Sequence, residues 1–146
     1  MRKTIRSIKE LEDEAARFVG SLQKKPEGAT LVTLSGDLGA GKTAFTKAVA
    51  KAFGVEETVT SPTFVLEKIY SLGSSTSKFR RLVHIDAYRL ERGSDLTPLG
   101  FDELMQDAKN LVLLEWPERV AEALPKPAVH ISLTAERDGT HTIAYG

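Results

Sequence analysis

The sequence contains no cysteine, which excludes disulfides, thiolate metal sites and cysteine nucleophiles together. It has no excess charge of either sign: Lys plus Arg and Asp plus Glu are each 20, so the formal charge is zero. No chain-wide positive field therefore holds nucleic acid by phosphate neutralisation, and any role on RNA is local or borrowed from a partner. No run approaches the roughly 18 apolar residues of a membrane span. The N-terminus, MRKTIRSIKELEDEAARFVG, is charged throughout and lacks the apolar stretch of a signal peptide, which predicts a cytoplasmic protein with no membrane partner. What the chain does have is an ordinary globular composition, 41% hydrophobic and 7% aromatic, which excludes intrinsic disorder. Its 146 residues predict one domain over 1–146, at about 100 to 200 residues per domain, with no room for a second catalytic domain.

Ser7 and Glu10 have the spacing of a capping box, and Ile8, Leu11, Ala15, Phe18 and Leu22 then recur at three and four residues. The spacing predicts a helix from about Ser7 to Lys24 whose stripe is core. Pro26-Glu27-Gly28 ends it, and Thr30 to Leu34 reads as a short buried strand. A glycine-rich turn follows, then a helix from Lys42 to about Phe53, closed by Gly54. Strand character returns over Phe64 to Leu72, and the Gly73 to Ser77 tract predicts a surface hairpin connection. Leu82 to Asp86 is the next expected strand, Leu99 to Gln106 a short helix, and Asn110 to Glu115 a strand apolar enough for burial on both faces, hence central. Pro117 suits the first turn of a helix carrying Val120, Ala121 and Leu124. The tail, Ala128 to Thr134 and Thr140 to Tyr145 about Arg137-Asp138-Gly139, reads as an antiparallel hairpin.

The turn between the first strand and its helix reads Gly36-Asp37-Leu38-Gly39-Ala40-Gly41-Lys42-Thr43, the pattern G-x-x-x-x-G-K-[ST]. Glycine is needed there because backbone N–H groups must converge on phosphate oxygens with no Cβ in the way, and the helix start adds its positive dipole end. The pattern arises by chance in on the order of one chain in a few hundred; its strand-to-helix setting makes it far more specific. Lys42 then reaches the β- and γ-phosphates and the Thr43 hydroxyl ligates Mg²⁺.

A hydrolytic site of this kind also needs a carboxylate at a strand end, for the metal or its waters and for the attacking water. The sequence offers two, Asp86 and Glu115. His84, Asp86 and Tyr88 alternate and would share a face if their strand reached that far. His84-x-Asp86 is too little for a transition-metal site, with His130 and His141 far off in the tail, and a satisfied buried histidine is the plainer reading. Arg89 is read as either a γ-phosphate or partner contact or a solvated arginine. Thr58 to Phe64 lies where several P-loop proteins keep a switch segment, so a hydroxyl there, Thr63 among them, is a candidate for phosphate or Mg²⁺; a plain turn at Ser61-Pro62 is the alternative. With no Asn-Lys-x-Asp segment to read guanine, ATP is favoured over GTP. Trp116 serves the nucleotide, a partner or the core, and Lys78, Arg80 and Arg81 form a small basic patch that reads first as solvated.

Taken together, GDLGAGKT at Gly36 to Thr43, SPTF at Ser61 to Phe64, HIDAYR at His84 to Arg89 and EWPER at Glu115 to Arg119 resemble the TsaE (YjeE) family, the ATPase subunit of bacterial tRNA threonylcarbamoyladenosine biosynthesis. The likeness spans most of residues 7 to 134. It implies an α/β, three-layer P-loop NTPase fold whose parallel core sheet is extended by antiparallel strands, and slow Mg²⁺-dependent ATP hydrolysis. It further implies that Gly36 and Gly39, Ala40, Gly41, Lys42 and Thr43 hold the phosphates, that Thr43 and Glu115 bind the metal, that Asp86 supports hydrolysis, and that Glu118 lies near the nucleotide. The implied partner is a complex of TsaD and TsaB, with tRNA met only through it. Two other classes stand beside this: a small-molecule P-loop kinase using Asp86 as base, for which no acceptor-binding segment or arginine-rich lid is evident, and a non-hydrolysing nucleotide-binding scaffold.

Overall fold

The computed structural model describes residues 1–55, 66–72 and 78–146. A seven-stranded mixed sheet runs through it, with strands β1 (Arg2–Ile5), β2 (Thr30–Ser35), β3 (Glu67–Ser71), β4 (Arg81–Asp86), β5 (Asn110–Glu115), β6 (Val129–Ala135) and β7 (His141–Tyr145) in the spatial order β1-β7-β6-β2-β5-β4-β3. β6, β2, β5 and β4 are mutually parallel. β3 extends the sheet antiparallel at one edge, and β7 and β1 do so at the other. The expected parallel core with antiparallel extensions is thus the observed architecture.

Both faces of the parallel core are covered, which is why its strands are continuously apolar rather than alternating. Leu82, Leu111, Leu113, Val32 and Leu34 pack on one face with Phe18 of α1 (Ile8–Ser21) and Phe45 and Val49 of α2 (Lys42–Ala52). Val83, Ile85, Val112 and Leu114 pack on the other with Leu96, Phe101 of α3 (Phe101–Met105), and Val120. Alternation along β4 and β5 then places His84, Asp86 and Glu115 on the α2 face, in an otherwise aliphatic layer. No helix among the described residues is long and apolar enough to cross a membrane.

Most expected elements form, with shifted ends. α1 starts where its cap predicts: the Ser7 hydroxyl accepts the Glu10 N–H at 3.1 Å, and the Glu10 carboxylate accepts the Arg6 N–H at 2.8 Å. It ends at Leu22, which is extended, and does not reach Lys24. The short helix expected over Leu99 to Gln106 forms as α3, opened by the left-handed Gly100, and the 3₁₀ segment Gly93–Leu99 ahead of it, which contains Pro98, was not anticipated. The helix expected at Pro117 is two 3₁₀ turns, Pro117–Arg119 and Ala121–Ala123, broken at Val120, whose φ of −133° is not helical. β1 was not anticipated: Arg-Lys-Thr-Ile carries one apolar side chain and no run, and it becomes a strand by pairing with β7. Of the strand expected over 64–72, the described part is β3. The segment 56–65 and the expected connection 73–77 lie outside the described residues.

Candidate functional site

The turn between β2 and α2 puts glycines where no other residue fits. Gly36 has φ +153°, and a Cβ there would come within 2.5 Å of the Leu133 carbonyl oxygen on β6. Gly41 caps α2 at φ +106°, and no side chain caps the helix, so its first N–H groups stay available to an external acceptor. Lys42, in the first turn of α2, folds back over the turn. Its Nζ donates to the carbonyl oxygens of Gly36 and, at 2.9 Å, Asp37, and lies 4.5 Å from the centre of the Trp116 ring. Among the described residues this ammonium holds its own loop's carbonyls and an aromatic face and forms no salt bridge, yet it is 4% exposed.

Lys42 looks into a cleft of about 320 Å³ lined on the α2 side by Leu38, Gly39, Gly41, Thr43 and Ala44, and on the sheet side by Asp86, Tyr88, Glu115 and Trp116. The parallel pairing of β4 with β5 sets Asp86 directly beside Glu115 at the ends of their strands. Asp86 is 6% exposed; burial pushes its carboxyl up from the ordinary aspartate range and Glu115 adds to this, while the Tyr88 N–H, His84 and Lys42 work the other way. Its Oδ1 accepts the Tyr88 N–H at 3.0 Å. Glu115 is 3% exposed, and its Oε2 lies 2.5 Å from Nε2 of His84.

The two residues after these strand ends wall the cleft. β4 stops at Asp86, so Tyr88 does not continue the strand alternation; the Asp86–Tyr88 turn aims it instead. Its ring lies 4.9 Å from that of Trp116, and the Arg119 guanidinium stacks on both, 5.3 Å from Tyr88 and 5.9 Å from Trp116. Trp116 holds a left-handed conformation, φ +60°, unusual for a bulky residue. Its N–H donates to the Leu34 carbonyl at 3.2 Å, which ties the end of β5 to the strand that leads into the glycine turn.

Of the residues singled out from sequence, Gly39, Gly41, Lys42, Thr43, Asp86 and Glu115 meet around this cleft; Gly36 and the buried Ala40 shape the turn behind it. Glu118 is exposed on the 3₁₀ turn and does not line the cleft. Thr63 lies outside the described residues. His130 bonds Thr33 across β6 and β2, at 2.7 Å, and plays no part here. Tyr88, Arg119 and Leu38 were missed as site residues; the adjacency of Tyr88 to Asp86 and of Trp116 to Glu115 was the available signal. Among the described residues no group of three or more His, Asp and Glu is arranged to hold a metal ion. The donors facing the cleft, the Thr43 hydroxyl and two carboxylates, are all hard oxygens. That set suits Mg²⁺, which takes one or two carboxylates and completes its shell from phosphate and water, better than a softer metal.

A model of the family described as threonylcarbamoyl adenosine biosynthesis protein TsaE matches residues 6–143. Among relatives, a tRNA threonylcarbamoyladenosine biosynthesis protein TsaE of Treponema pallidum is 36% identical over 139 residues, covering 95% of this chain and 98% of that protein. Its namesake in Bacillus subtilis is 34% identical over 140 residues, 96% of this chain and 82% of that protein. The crystal structure of Bacillus subtilis YdiB superposes with a TM-score of 0.73 at 26% identity, over 99% of this chain and 83% of that one.

Proposed function

The chain belongs to the TsaE family of threonylcarbamoyl adenosine biosynthesis proteins, and from that premise we propose that it is a cytoplasmic Mg²⁺-dependent ATPase acting on a TsaD/TsaB-type complex that modifies tRNA. The observation that carries the reading is the cleft itself: an unsatisfied helix N-terminus and a buried lysine face two buried strand-end carboxylates across one pocket. The backbone N–H groups from Gly39 to Thr43 bind the phosphate chain of ATP. Lys42 exchanges the carbonyls of Gly36 and Asp37 for phosphate oxygens, a stronger, charge-assisted pairing. Thr43 and Glu115 hold Mg²⁺, which neutralises charge on the terminal phosphates when bound. Asp86 and Glu115 orient the attacking water, whose oxygen bonds to the γ-phosphorus as the bond to the β-bridging oxygen breaks. Tyr88 and Trp116 keep bulk water from that side of the cleft, where electrostatic interactions are thereby strengthened.

Hydrolysis then serves as a switch for the partner. Thr63, carried over from the family motif, is assigned to the segment that senses the γ-phosphate, so ATP and ADP forms bind a TsaD–TsaB complex unequally; typical coupling is about 1 to 3 kcal/mol, roughly 5- to 150-fold. Titration of the purified complex with this protein, in ADP and in a non-hydrolysable ATP analogue, tests it. Thr63→Ala shrinks the difference if the reading holds. Equal affinities in the two nucleotides remove the switch, and phosphate release that needs a small-molecule acceptor favours the kinase that uses Asp86 as base.

A further inference from the structure

We propose that His84 is a positioning residue for Glu115, holding one carboxylate oxygen so that the other serves the cleft; this rests on the reading of Glu115 as a working group of the ATPase site. His84 is fully buried, at 0% exposure, in the middle of β4, where its strand neighbours Leu82, Val83 and Ile85 and its β5 partner Leu113 are apolar, while its β3 partner is Lys68. Packing alone calls for another aliphatic side chain there. The imidazole gains a single polar contact, Nε2 to Oε2 of Glu115 at 2.5 Å, while its Nδ1 is buried with no hydrogen-bond partner among the described residues. Among the described residues this buried ring is satisfied on one side only, which is costly to the fold, and the one group it engages there is the carboxylate at the cleft.

Sheet geometry explains how the two meet. β4 and β5 are parallel, with His84 opposite Leu113 and Asp86 opposite Glu115. His84 and Glu115 are therefore diagonal neighbours on one face, a separation that a ring can bridge to a long carboxylate but that a short side chain cannot. Asp86 stands opposite Glu115, and among the described residues no hydrogen bond joins the two carboxyl groups. Where the Glu115 carboxylate accepts this bond, the donating proton is the one on Nε2 of His84. No other hydrogen bond to the Glu115 side chain is made by the described residues. Without His84 a three-torsion side chain at a strand end samples several rotamers, and a carboxylate displaced by about 1 Å is enough to lose about 100-fold in rate. The same contact explains why glutamate, with its longer reach, suits this strand end: Oε2 goes back along the sheet to His84 and Oε1 remains for the cleft.

The test uses the full chain, three single variants and one double variant. In the nucleotide-free protein, ¹⁵N spectra of the histidine rings at fixed pH show the His84 signal shifting on Glu115→Ala while those of His130 and His141 stay in place. In kinetics, His84→Phe, which keeps the ring and removes the donor, lowers kcat by about 10-fold, and by no more than Glu115→Ala does, with ATP affinity within about 2-fold of wild type. His84→Gln restores an N–H donor and recovers part of the loss. On the Glu115→Ala background, His84→Phe costs nothing further, because its effect passes through the missing carboxylate. Should His84→Phe fold poorly, the ring spectra of the wild type and of Glu115→Ala still decide. An unmoved His84 signal, wild-type kcat in His84→Phe, or losses that multiply in the double variant overturns the positioning role alone. Wild-type hydrolysis in Glu115→Ala overturns the reading of the site, and the positioning role with it.

Discussion

Two buried acidic groups of equal exposure behave in opposite ways. Glu14, on α1, and Asp86, at the end of β4, are each 6% exposed. Burial pushes both carboxyls up, but Glu14 is more than compensated and ends below the ordinary range, whereas Asp86 stays above it. The difference is the company. Arg17 meets Glu14 through two of its three guanidinium nitrogens, Nε at 3.1 Å from each oxygen and Nη2 at 2.5 Å from Oε2; the Tyr145 hydroxyl donates to Oε2, and Lys3 Nζ lies 3.5 Å from Oε1. Tyr145, held in that network, has its phenol raised well above the ordinary value, by burial first and then by Glu14. Asp86 has one backbone N–H, a neighbouring carboxylate and a lysine turned toward its own loop. A satisfied buried carboxylate staples β7 to α1, whereas Asp86 has fewer partners among the described residues, the pattern expected of a group that meets an outside ligand.

The contrast breaks most sharply at Lys42. Lys42→Ala removes the charge that answers the phosphates and weakens MgATP binding by at least about 100-fold, roughly 2.7 kcal/mol, with the fold intact; unchanged affinity in calorimetry would sink the phosphate assignment. Glu14→Ala should instead leave hydrolysis alone and cost about 2 kcal/mol in denaturant unfolding, a figure already reduced because Arg17 is 41% exposed. Asp86→Ala and Glu115→Ala invert that pattern: nucleotide is retained and phosphate release falls by at least about 10-fold, about 1.4 kcal/mol or more. Wild-type release in both would take the pair out of the reaction.

Acid sharpens the comparison further, with opposite signs. The depressed Glu14 contributes stability that is present above the unfolded glutamate value of about 4.3 and is lost as pH falls through its lower folded value. The elevated Asp86 costs stability once it ionises: its favourable contribution is full below the unfolded aspartate value of about 3.9 and is lost as pH rises through the folded one. Asp86→Asn should therefore raise the melting temperature at pH 7, by less than Glu14→Ala lowers it, and the gain should vanish near pH 3. A gain that persists in acid would place its origin in packing rather than charge.

Much of this was legible in sequence where neighbours in the chain are neighbours in space. The Ser7 cap, the strand-turn-helix around Gly36 to Thr43, the apolar β5 and the tail hairpin each carry their cause within a dozen residues. Elements whose cause lies elsewhere were missed or misjudged. β1 exists because β7 offers it an edge, the 3₁₀ segment at 93–99 was not anticipated, and the helix expected from Pro117 is two 3₁₀ turns broken at Val120. Tyr88 joins the site through an Asx turn, not through the strand alternation its spacing suggested.

By itself, the sequence determined the chemistry on offer: a glycine turn able to approach phosphate, a lysine and threonine at a helix start, and two carboxylates closing apolar strands, all short-range matters of residue type and spacing. Which of those groups touch was decided only by tertiary structure. His84 and Glu115 are 31 residues apart, and Tyr88 and Trp116 are 28 apart. Both pairs meet because β4 and β5 lie parallel in one register. A shift of that register by a single residue would turn every side chain of one strand to the opposite face and separate them, and register is set by how two covered sheet faces pack, a property of the whole core that no local pattern encodes.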